Sequence, residues 1–468
     1  MAAHSAVYGA ADVFQSLVNF LLVPVYTAYL TPSDYGTLAL LLLFGTMAKI
    51  VFRLGLDSGF FRVHYDLETE DERRALAGTV ALFGAGVGAL FFAGAIAGAG
   101  GLARLALDAN TEALRRLIVL TAADVWLGTF AFVPLAVLRI QDRPGLFSAL
   151  SVLRHAVNIV LKVVLVMKGL GVAGVVWSDA LATGVFSLAL LPILFRNAAP
   201  AFSWRLLAPA LGFGLPKVPH GILVQALNLA DRKILDLFVT RAEVGIYQLG
   251  YTFGGTVKFA LSAFEPAWQP FVYAQARRPE APAVLARVVT SAFAVFLAVG
   301  LAVAALGGNL LVLMTPRNPA FWAAAGIVPM VALAYLLQGA FLLGSIGIGI
   351  EKRARYYPMI TAAAAATNVA GNFLLIPRFG ITGAAWATVA SYAVMAGLGV
   401  GISSRLYPVP FEKGRLAGLL AGAVLAYGIG RLLPGAGVTG LLAKGAVVAA
   451  FGVFAAMVVR PRERTPEL

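Results

Sequence analysis

The sequence predicts an all-α, polytopic membrane protein with about 14 transmembrane helices, and three observations lead to this fold class. Hydrophobic residues make up 60% of the 468-residue chain and charged residues only 12%, whereas soluble domains carry about 25% charged residues. Apolar stretches of about 20 residues, the length that a helix needs to cross a bilayer, recur along the chain. Lys and Arg are concentrated in alternate connections between these stretches.

The predicted helices fall into two sets of six, followed by two more. The first set is predicted at 7–30, 36–56, 76–100, 114–138, 146–167 and 172–195. The second set is predicted at 208–231, 244–264, 284–306, 322–346, 357–376 and 383–403, and the last two helices at 415–433 and 437–459. The connections are short, the longest being around 57–75, so no inserted soluble domain is predicted.

Loop charges predict how the helices are oriented. Eighteen Lys and Arg lie in the connections on one side of the predicted membrane, and eight lie on the other. Cytoplasmic loops carry the excess of Lys and Arg, so both termini are predicted to be cytoplasmic. This bias accounts for the net charge of +14, so nucleic acid is not predicted as a partner. No cleavable signal peptide is predicted, and the expected location is the inner, cytoplasmic membrane of the cell.

Several kinds of chemistry are not expected. The chain has no Cys, which excludes disulfides and thiolate metal sites. Its four His have no clustered partners, and no Gly-x-x-x-x-Gly-Lys phosphate loop is present. The sequence therefore predicts no metal, no cofactor, no catalytic residue and no enzymatic activity.

The chain repeats itself at an offset of 209 residues. Residues 30–36 align without gaps to 239–245, and residues 171–177 match 380–386. Residues 141–143 align with 350–352 at the same offset, whereas Asn158 and Lys162 fall near Asn368 and Asn372 after a one-residue slip. Convergent Gly- and Ala-rich composition could produce any single match, but it does not explain one offset over most of 400 residues.

The repeat predicts the domain organisation. Because each unit holds six helices, both units have the same orientation, so an axis along the membrane normal should relate them. Substrate is then expected between them, near the midplane. The predicted divisions are an N-terminal lobe at 1–200, a C-terminal lobe at 201–406, and two extra helices with a cytoplasmic tail at 407–468.

Two lysines occupy equivalent positions in the two units. Lys49 and Lys258 are 209 residues apart, and both lie in apolar stretches. A Lys in a membrane helix costs about 2.5–3.5 kcal/mol on insertion scales and by default suggests a function. The pair predicts a central cavity that binds an anion. The alternative is that both ammonium groups extend to the membrane surface on their flexible side chains.

Further polar side chains lie on the first, second, fifth, seventh and eighth predicted helices. Because such groups must face the bundle interior or water, stripes on the first, second, seventh and eighth helices predict a hydrated cleft between the halves. The candidate substrate-binding residues are Lys49, Arg53, Lys258, Lys217, Arg154, Lys162, Arg232, Asn19 and Asn228, and the candidate ion-coupling residue is Asp12.

Simpler roles remain open for several of these residues. Lys217 could anchor the inner end of its helix at the membrane surface, and Asp231 and Arg232 could form a local ion pair. Asp12, Asp124 and Asp179 could be partners of buried cations rather than ion-coupling groups.

Several segments resemble a known family. Residues 214–219 (Gly-Leu-Pro-Lys-Val-Pro), 231–235 (Asp-Arg-Lys-Ile-Leu), 30–36 and 372–388 are similar to bacterial O-antigen and exopolysaccharide flippases of the multidrug/oligosaccharidyl-lipid/polysaccharide (MOP) superfamily. The resemblance covers roughly residues 5–405. It implies two six-helix lobes arranged in a V, alternating access, and an undecaprenyl-pyrophosphate-linked oligosaccharide as substrate. Fourteen helices also fit the lipid II flippase branch.

Three functions are weighed. The resemblance favours a flippase whose partners are the lipid-linked oligosaccharide, membrane lipids, a polysaccharide polymerase and other export components. A cation-coupled multidrug antiporter of the same fold is the alternative, but the second and eighth helices offer Lys where acidic residues are expected. A membrane glycosyltransferase is disfavoured because the outer loops are short.

Overall fold

The computed structural model of the protein describes residues 20–276, 278–433 and 437–460, apart from the side chains of residues 226 and 227. Helices dominate these ranges, which contain no β-strand. In the first half, the bounds are α1 Val23–Tyr29, α2 Pro32–Arg53, α3 Leu56–Asp66, α4 Glu70–Ala97, α5 Ala99–Leu107, α6 Glu112–Ile140, α7 Pro144–Leu165, a π-helical turn Val166–Leu170, α8 Gly171–Asn197, α9 Trp204–Gly214 and α10 Lys217–Asp236.

The second half continues in the same way. Its elements are α11 Arg241–Gly254, α12 Val257–Gln275, α13 Ala281–Met314, a 3₁₀ segment Pro319–Gly326, α14 Val328–Gly344, α15 Ile346–Ile350, α16 Tyr356–Leu406, α17 Lys413–Leu432 and α18 Gly437–Val459. Gly380 interrupts α16 with a non-helical conformation. The prediction of an all-α, polytopic membrane protein is confirmed.

Nine helical segments in the described ranges are long and apolar enough to cross a membrane. Two of them, Pro144–Asn197 and Tyr356–Leu406, each cover two predicted spans. The predicted spans at 208–231 and 244–264 are helical but are not among the nine. Each is broken, at 215–216 and at 255–256, and polar residues such as Lys217 and Lys258 lower their hydropathy. The predicted span at 7–30 lies largely outside the described residues.

One predicted loop is a helix. Leu54 and Gly55 adopt left-handed conformations that end α2, and the chain then continues as α3 through residues predicted to be irregular. Leu56, Phe60 and Val63 on one face of α3 are buried in a core shared with α4, α6 and α9. The apolar spacing of four and three residues matches a helix face, so the stretch folds back onto the bundle.

Internal contacts divide the chain into two compact units, 20–245 and 246–460 among the described residues. Small residues allow close helix packing inside the first unit, where a Cβ on Gly59 would collide with the backbone of Ala210 in α9. Such close approach is characteristic of membrane bundles, where van der Waals packing replaces the hydrophobic effect as the force between helices. The lobe boundaries inferred from the repeat remain a prediction.

The repeat is visible in local backbone geometry. The Thr31 N–H donates to the Asp34 carboxylate at 2.8 Å, and the Thr240 N–H donates to the Glu243 carboxylate at 2.9 Å. Each acidic residue's N–H returns a hydrogen bond to the Thr hydroxyl, so the two capping boxes match at the 209-residue offset. Later in each repeat, Gly171 has φ 54° and ψ −134°, and Gly380 has φ 55° and ψ −136°.

Between the capping boxes and the Gly171/Gly380 pair, the alignment of the first repeat with the second differs from the prediction. Asp142 with φ 52° corresponds to Lys352 with φ 54°, an offset of 210 residues. The predicted pairing of 141–143 with 350–352 is therefore wrong by one residue. The offset returns to 209 at Gly171, so the first repeat has one extra residue after Lys162. The π-helical turn Val166–Leu170 lies there, and a π turn accommodates one added residue in a helical path.

Two equivalent glycines meet where α2 and α11 begin, within the first unit. A Cβ on Gly36 would collide with the carbonyl of Arg241, and a Cβ on Gly245 would collide with the carbonyl of Pro32. Pro32 and Arg241 are themselves equivalent at the 209-residue offset. The contact is therefore reciprocal, because each glycine meets the residue equivalent to the one that its counterpart meets.

Candidate functional site

Four predicted cations line two adjoining cavities in the first unit. Lys49 and Arg53 come from α2, and Arg154 and Lys162 come from α7. The cavities measure about 400 and 650 Å³ and share Lys49, Arg53, Arg154 and Asp179. We call these two cavities and their lining the cationic cavity. The packing of α2, α6, α7 and α8 brings its members together from distant parts of the sequence.

Arg53 stands at the end of α2, where the helix breaks. Its Nη1 donates to Asp57 Oδ1 at 2.9 Å across the left-handed turn. Its guanidinium also lies 5.7 Å from the ring centroid of Phe132 on α6. The ion pair and the ring hold the guanidinium at the cavity wall, and the Asp57 carboxylate is 45% exposed.

The α7 residues Arg154, Asn158 and Lys162 are each four positions apart and therefore share one helix face. The Arg154 guanidinium donates to the Thr183 hydroxyl at 2.9 Å. Asn158 and Lys162 both donate to Asp179 Oδ1 at 2.9 Å. The hypothesis that Asp179 is a partner for a buried cation agrees with this geometry, since Lys162 is only 15% exposed.

Lys49 and Asp124 also line the cavity, and each has a polar side-chain atom without a hydrogen-bond partner among the described residues. Among the described residues, the Lys49 ammonium has no ion pair or hydrogen bond within reach. On α6, Asp124 has a buried Oδ1 atom with no hydrogen-bond partner. A cation without a partner in a membrane protein is costly, which makes Lys49 a candidate for contact with a ligand.

The charge balance of the cationic cavity is positive. Among the described residues, five cationic side chains line it, against three carboxylates. The cations are Lys49, Arg53, Arg139, Arg154 and Lys162, and the carboxylates are Asp57, Asp124 and Asp179. Two positive charges remain in excess, which matches a doubly charged anion better than a cationic substrate.

The positions equivalent to Asn158, Lys162 and Asp179 are all neutral in the second unit. Asn158 and Lys162 correspond to Asn368 and Asn372, which are buried and joined by a 3.0 Å hydrogen bond between their amides. Asp179 corresponds to Thr388, which is also buried. The repeat has therefore diverged in chemistry while keeping its backbone, and the charged version lies in the first unit.

The remaining candidates occupy different environments. Lys258 is exposed and is the second residue of α12, whereas Lys49 lies one turn before the end of α2. The helix breaks of the two repeats therefore differ around these equivalent lysines. Lys217 is exposed at the start of α10, and its ammonium lies 4.1 Å from the ring centroid of Phe213. This position fits the anchoring role as well as substrate contact.

Arg232 is 1% exposed and is bonded to its neighbours. It donates to Asp231 Oδ1 at 2.6 Å and to the Asn228 carbonyl at 2.8 Å. The local Asp–Arg pair considered from the sequence is therefore present, and Asn228 contributes its backbone to it. Asp12 and Asn19 lie outside the described residues.

Sequence reasoning missed two groups in this cavity. Asp57 was assigned to a loop, although its i, i+4 spacing from Arg53 is the usual signal for an ion pair on a helix. Thr183 carries no such signal, because a hydroxyl in an apolar helix more often bonds to its own backbone.

Comparison with known families and structures identifies the fold. Residues 27–271 match the family described as "Polysaccharide biosynthesis protein", which is more than half of the chain. The chain belongs to this polysaccharide biosynthesis protein family. A search of curated protein sequences found no significant match.

Solved structures share the fold of this polysaccharide biosynthesis family member at low identity. The lipid II flippase MurJ in an inward closed conformation has a TM-score of 0.71 and 10% identity, covering 96% of this chain and 97% of that one. An inward-facing multidrug resistance MATE family transporter of the MOP superfamily has a TM-score of 0.64 and 15% identity, covering 84% and 94%.

The MATE multidrug transporter DinF-BH has a TM-score of 0.55 and 14% identity, covering 86% and 95%. The chain therefore shares the fold of these solved transporters, which is the fold that the sequence resemblance implied.

Proposed function

We propose that this protein is a flippase that moves an undecaprenyl-pyrophosphate-linked oligosaccharide from the cytoplasmic to the outer leaflet of the inner membrane. The observation that carries the proposal is the excess of two positive charges in the cationic cavity. Membership in the polysaccharide biosynthesis family supports the oligosaccharide part of the substrate.

The cavity offers the donors that a pyrophosphate needs. Arginine presents a planar fork to phosphate oxygens, and Lys49 adds a cation that no described residue pairs. A bound pyrophosphate would replace Asp57 as the partner of Arg53 and Asp179 as the partner of Lys162. The anion is then neutralised while the polyprenyl tail stays in lipid, which removes the main barrier to crossing.

Transport by alternating access follows from this arrangement. The empty cavity holds like charges that repel, and a bound pyrophosphate would turn this repulsion into attraction. The substrate would thereby supply the differential affinity for the two states that a conformational change requires. A membrane potential that is negative inside favours outward movement by about 2.3 kcal/mol per charge per 100 mV. A polymerase on the outer side would consume the product.

The proposal is tested by substituting Lys49 in purified protein reconstituted into liposomes. We expect Lys49→Ala to slow ATP-independent flipping of a fluorescent undecaprenyl-pyrophosphate oligosaccharide about 10- to 100-fold, because a hydrogen bond to a charged group is worth about 1.5–3 kcal/mol. Lys49→Arg should retain more activity, since the charge survives.

Lys168→Ala is the matched control, because Lys168 is exposed in the turn at Val166–Leu170, outside the cationic cavity. Normal flipping by Lys49→Ala would contradict the anion site. Flipping of lipid II in place of the oligosaccharide lipid would assign the protein to the lipid II flippase branch.

A cation-coupled multidrug antiporter is the second candidate, and Asp124 is the observation that favours it. Its buried, unsatisfied Oδ1 faces the same cavity and could accept a proton. Proton-driven efflux of a cationic dye that is lost in Asp124→Asn, with no flipping of any polyprenyl lipid, would establish this function instead.

A further inference from the structure

A polar cavity lies in the second unit, and none of its lining residues belongs to the cationic cavity. It measures about 440 Å³, within the range of about 300–1,000 Å³ typical of small-molecule sites. It lies between α12, α14 and the start of α16, and the residues used below are Glu265, Gln269, Tyr273, Phe341, Ser345 and Tyr357. We call it the aromatic pocket.

One face of α12 supplies its hydrogen-bonding groups. Glu265, Gln269 and Tyr273 are each four positions apart, so they share a helix face, and all three are exposed. Among the described residues, neither Glu265 nor Gln269 has a side-chain ion pair or hydrogen bond. A carboxylate and an amide without partners can bind several hydroxyl groups of a ligand.

Aromatic rings form the other walls. Tyr273 is 49% exposed, and Phe341 and Tyr357 meet edge to face with centroids 6.4 Å apart. Below them the Trp268 indole donates to the Leu342 carbonyl at 3.3 Å and fixes α12 against α14. A Cβ at Gly349 would approach the Tyr273 hydroxyl to 2.7 Å, so the glycine leaves the phenol its space.

This combination selects a class of ligand. A sugar ring has C–H faces that pack on aromatic rings and an edge of hydroxyls that bond to carboxylates and amides. A pyrophosphate is disfavoured because the only charge in the lining is the Glu265 carboxylate. A large organic cation would suit the carboxylate, but it would leave the Gln269 amide without a partner.

We propose that the aromatic pocket binds the saccharide portion of the transported lipid, an inference that rests on the proposed flippase function. Lys258 lies seven residues before Glu265 on α12, about 10 Å along the same helix face at 1.5 Å per residue. That face therefore orders a cation, a carboxylate, an amide and a phenol. The carboxylate, the amide and the phenol are the groups that would contact the saccharide.

Binding to full-length protein in lipid nanodiscs tests the inference with two probes. One probe is undecaprenyl pyrophosphate, and the other is the undecaprenyl-pyrophosphate-linked oligosaccharide extracted from the source organism. We expect the wild-type protein to bind the oligosaccharide lipid at least tenfold more tightly. Tyr273→Ala and Gln269→Ala should remove this difference without changing the affinity for undecaprenyl pyrophosphate, and Tyr273→Phe should retain part of it because the ring remains.

Tyr65→Ala is the matched control, because Tyr65 is 69% exposed on α3 in the first unit. Equal wild-type affinity for both probes, or equal weakening of both by the pocket variants, would overturn the inference alone. Binding of a cationic rhodamine dye that is lost in Glu265→Gln, with the oligosaccharide lipid unaffected, would also overturn it. A wild-type protein that binds neither lipid would reject the proposed function, and the inference with it.

Discussion

The Lys162–Asp179 pair shows how single residues set the charge of the cationic cavity. Asp179 accepts hydrogen bonds from both Asn158 and Lys162, so it neutralises one cation and holds an amide in place. In the second repeat the same positions carry Asn372 and Thr388 and no charge at all. The difference between the two units thus depends on a few side chains and not on the backbone.

Replacing Asp179 should strengthen anion binding. We expect Asp179→Asn to bind undecaprenyl pyrophosphate about tenfold more tightly and to release it more slowly, because Lys162 loses its competing carboxylate. The free energy of unfolding should fall by only about 1 kcal/mol, since Asp179 is 41% exposed. Affinity and thermal denaturation measure the two effects.

Asp66→Asn is the matched control, because the Arg62–Asp66 pair has both side chains more than half exposed outside the cavity. Weaker anion binding by Asp179→Asn would mean that Asp179 helps to form the anion site instead of competing for it.

At the level of helices, glycine contacts determine how closely the elements pack. Gly36 and Gly245 allow the first turns of α2 and α11 to approach until backbone meets backbone. Matching capping boxes at Thr31 and Thr240 supply hydrogen bonds to the first turn of each helix. The contact therefore depends on local capping and on glycine, because any larger residue at position 36 or 245 would collide with the facing backbone.

Adding one methyl group at this contact should destabilise the fold. Gly36→Ala is expected to lower the free energy of unfolding by about 1–3 kcal/mol, the usual cost of overpacking, because its Cβ would collide with the Arg241 carbonyl. Gly84→Ala in α4 is the control, since nothing lies within 4 Å of a Cβ there. Thermal unfolding in detergent compares the two, and equal stability of both variants would disprove the close contact.

For the whole molecule, the distribution of loop cations predicts orientation. Eighteen Lys and Arg on one side against eight on the other predict that both termini are cytoplasmic. A reporter fused after residue 468 should therefore be active only if it functions in the cytoplasm. Activity of a reporter that requires the outer side would reverse the predicted topology, and with it the proposed direction of transport.

Much of the fold was predictable because hydrocarbon imposes strict demands on sequence. Eleven of the 14 predicted spans coincide with segments that are long and apolar enough to cross a membrane. The two described spans that do not coincide lie where polarity and helix breaks interrupt this pattern, as at Lys217 after Pro216 and at Lys258 after Gly255. Residues 57–66 are predicted to be irregular because they include several charged residues. In the structure they form a helix, and its apolar face is buried against α9.

Sequence alone determined the class of the protein, its internal repeat and the presence of unusual membrane cations, because each depends only on composition or on periodicity along the chain. Tertiary structure decided which of those cations meet. Lys49, Arg53, Arg154 and Lys162 share one cavity because α2 and α7 pack around α6 and α8, whereas Arg232 is buried against its own neighbour Asp231. A helix face can be read from spacing, but the element that it faces depends on long-range packing.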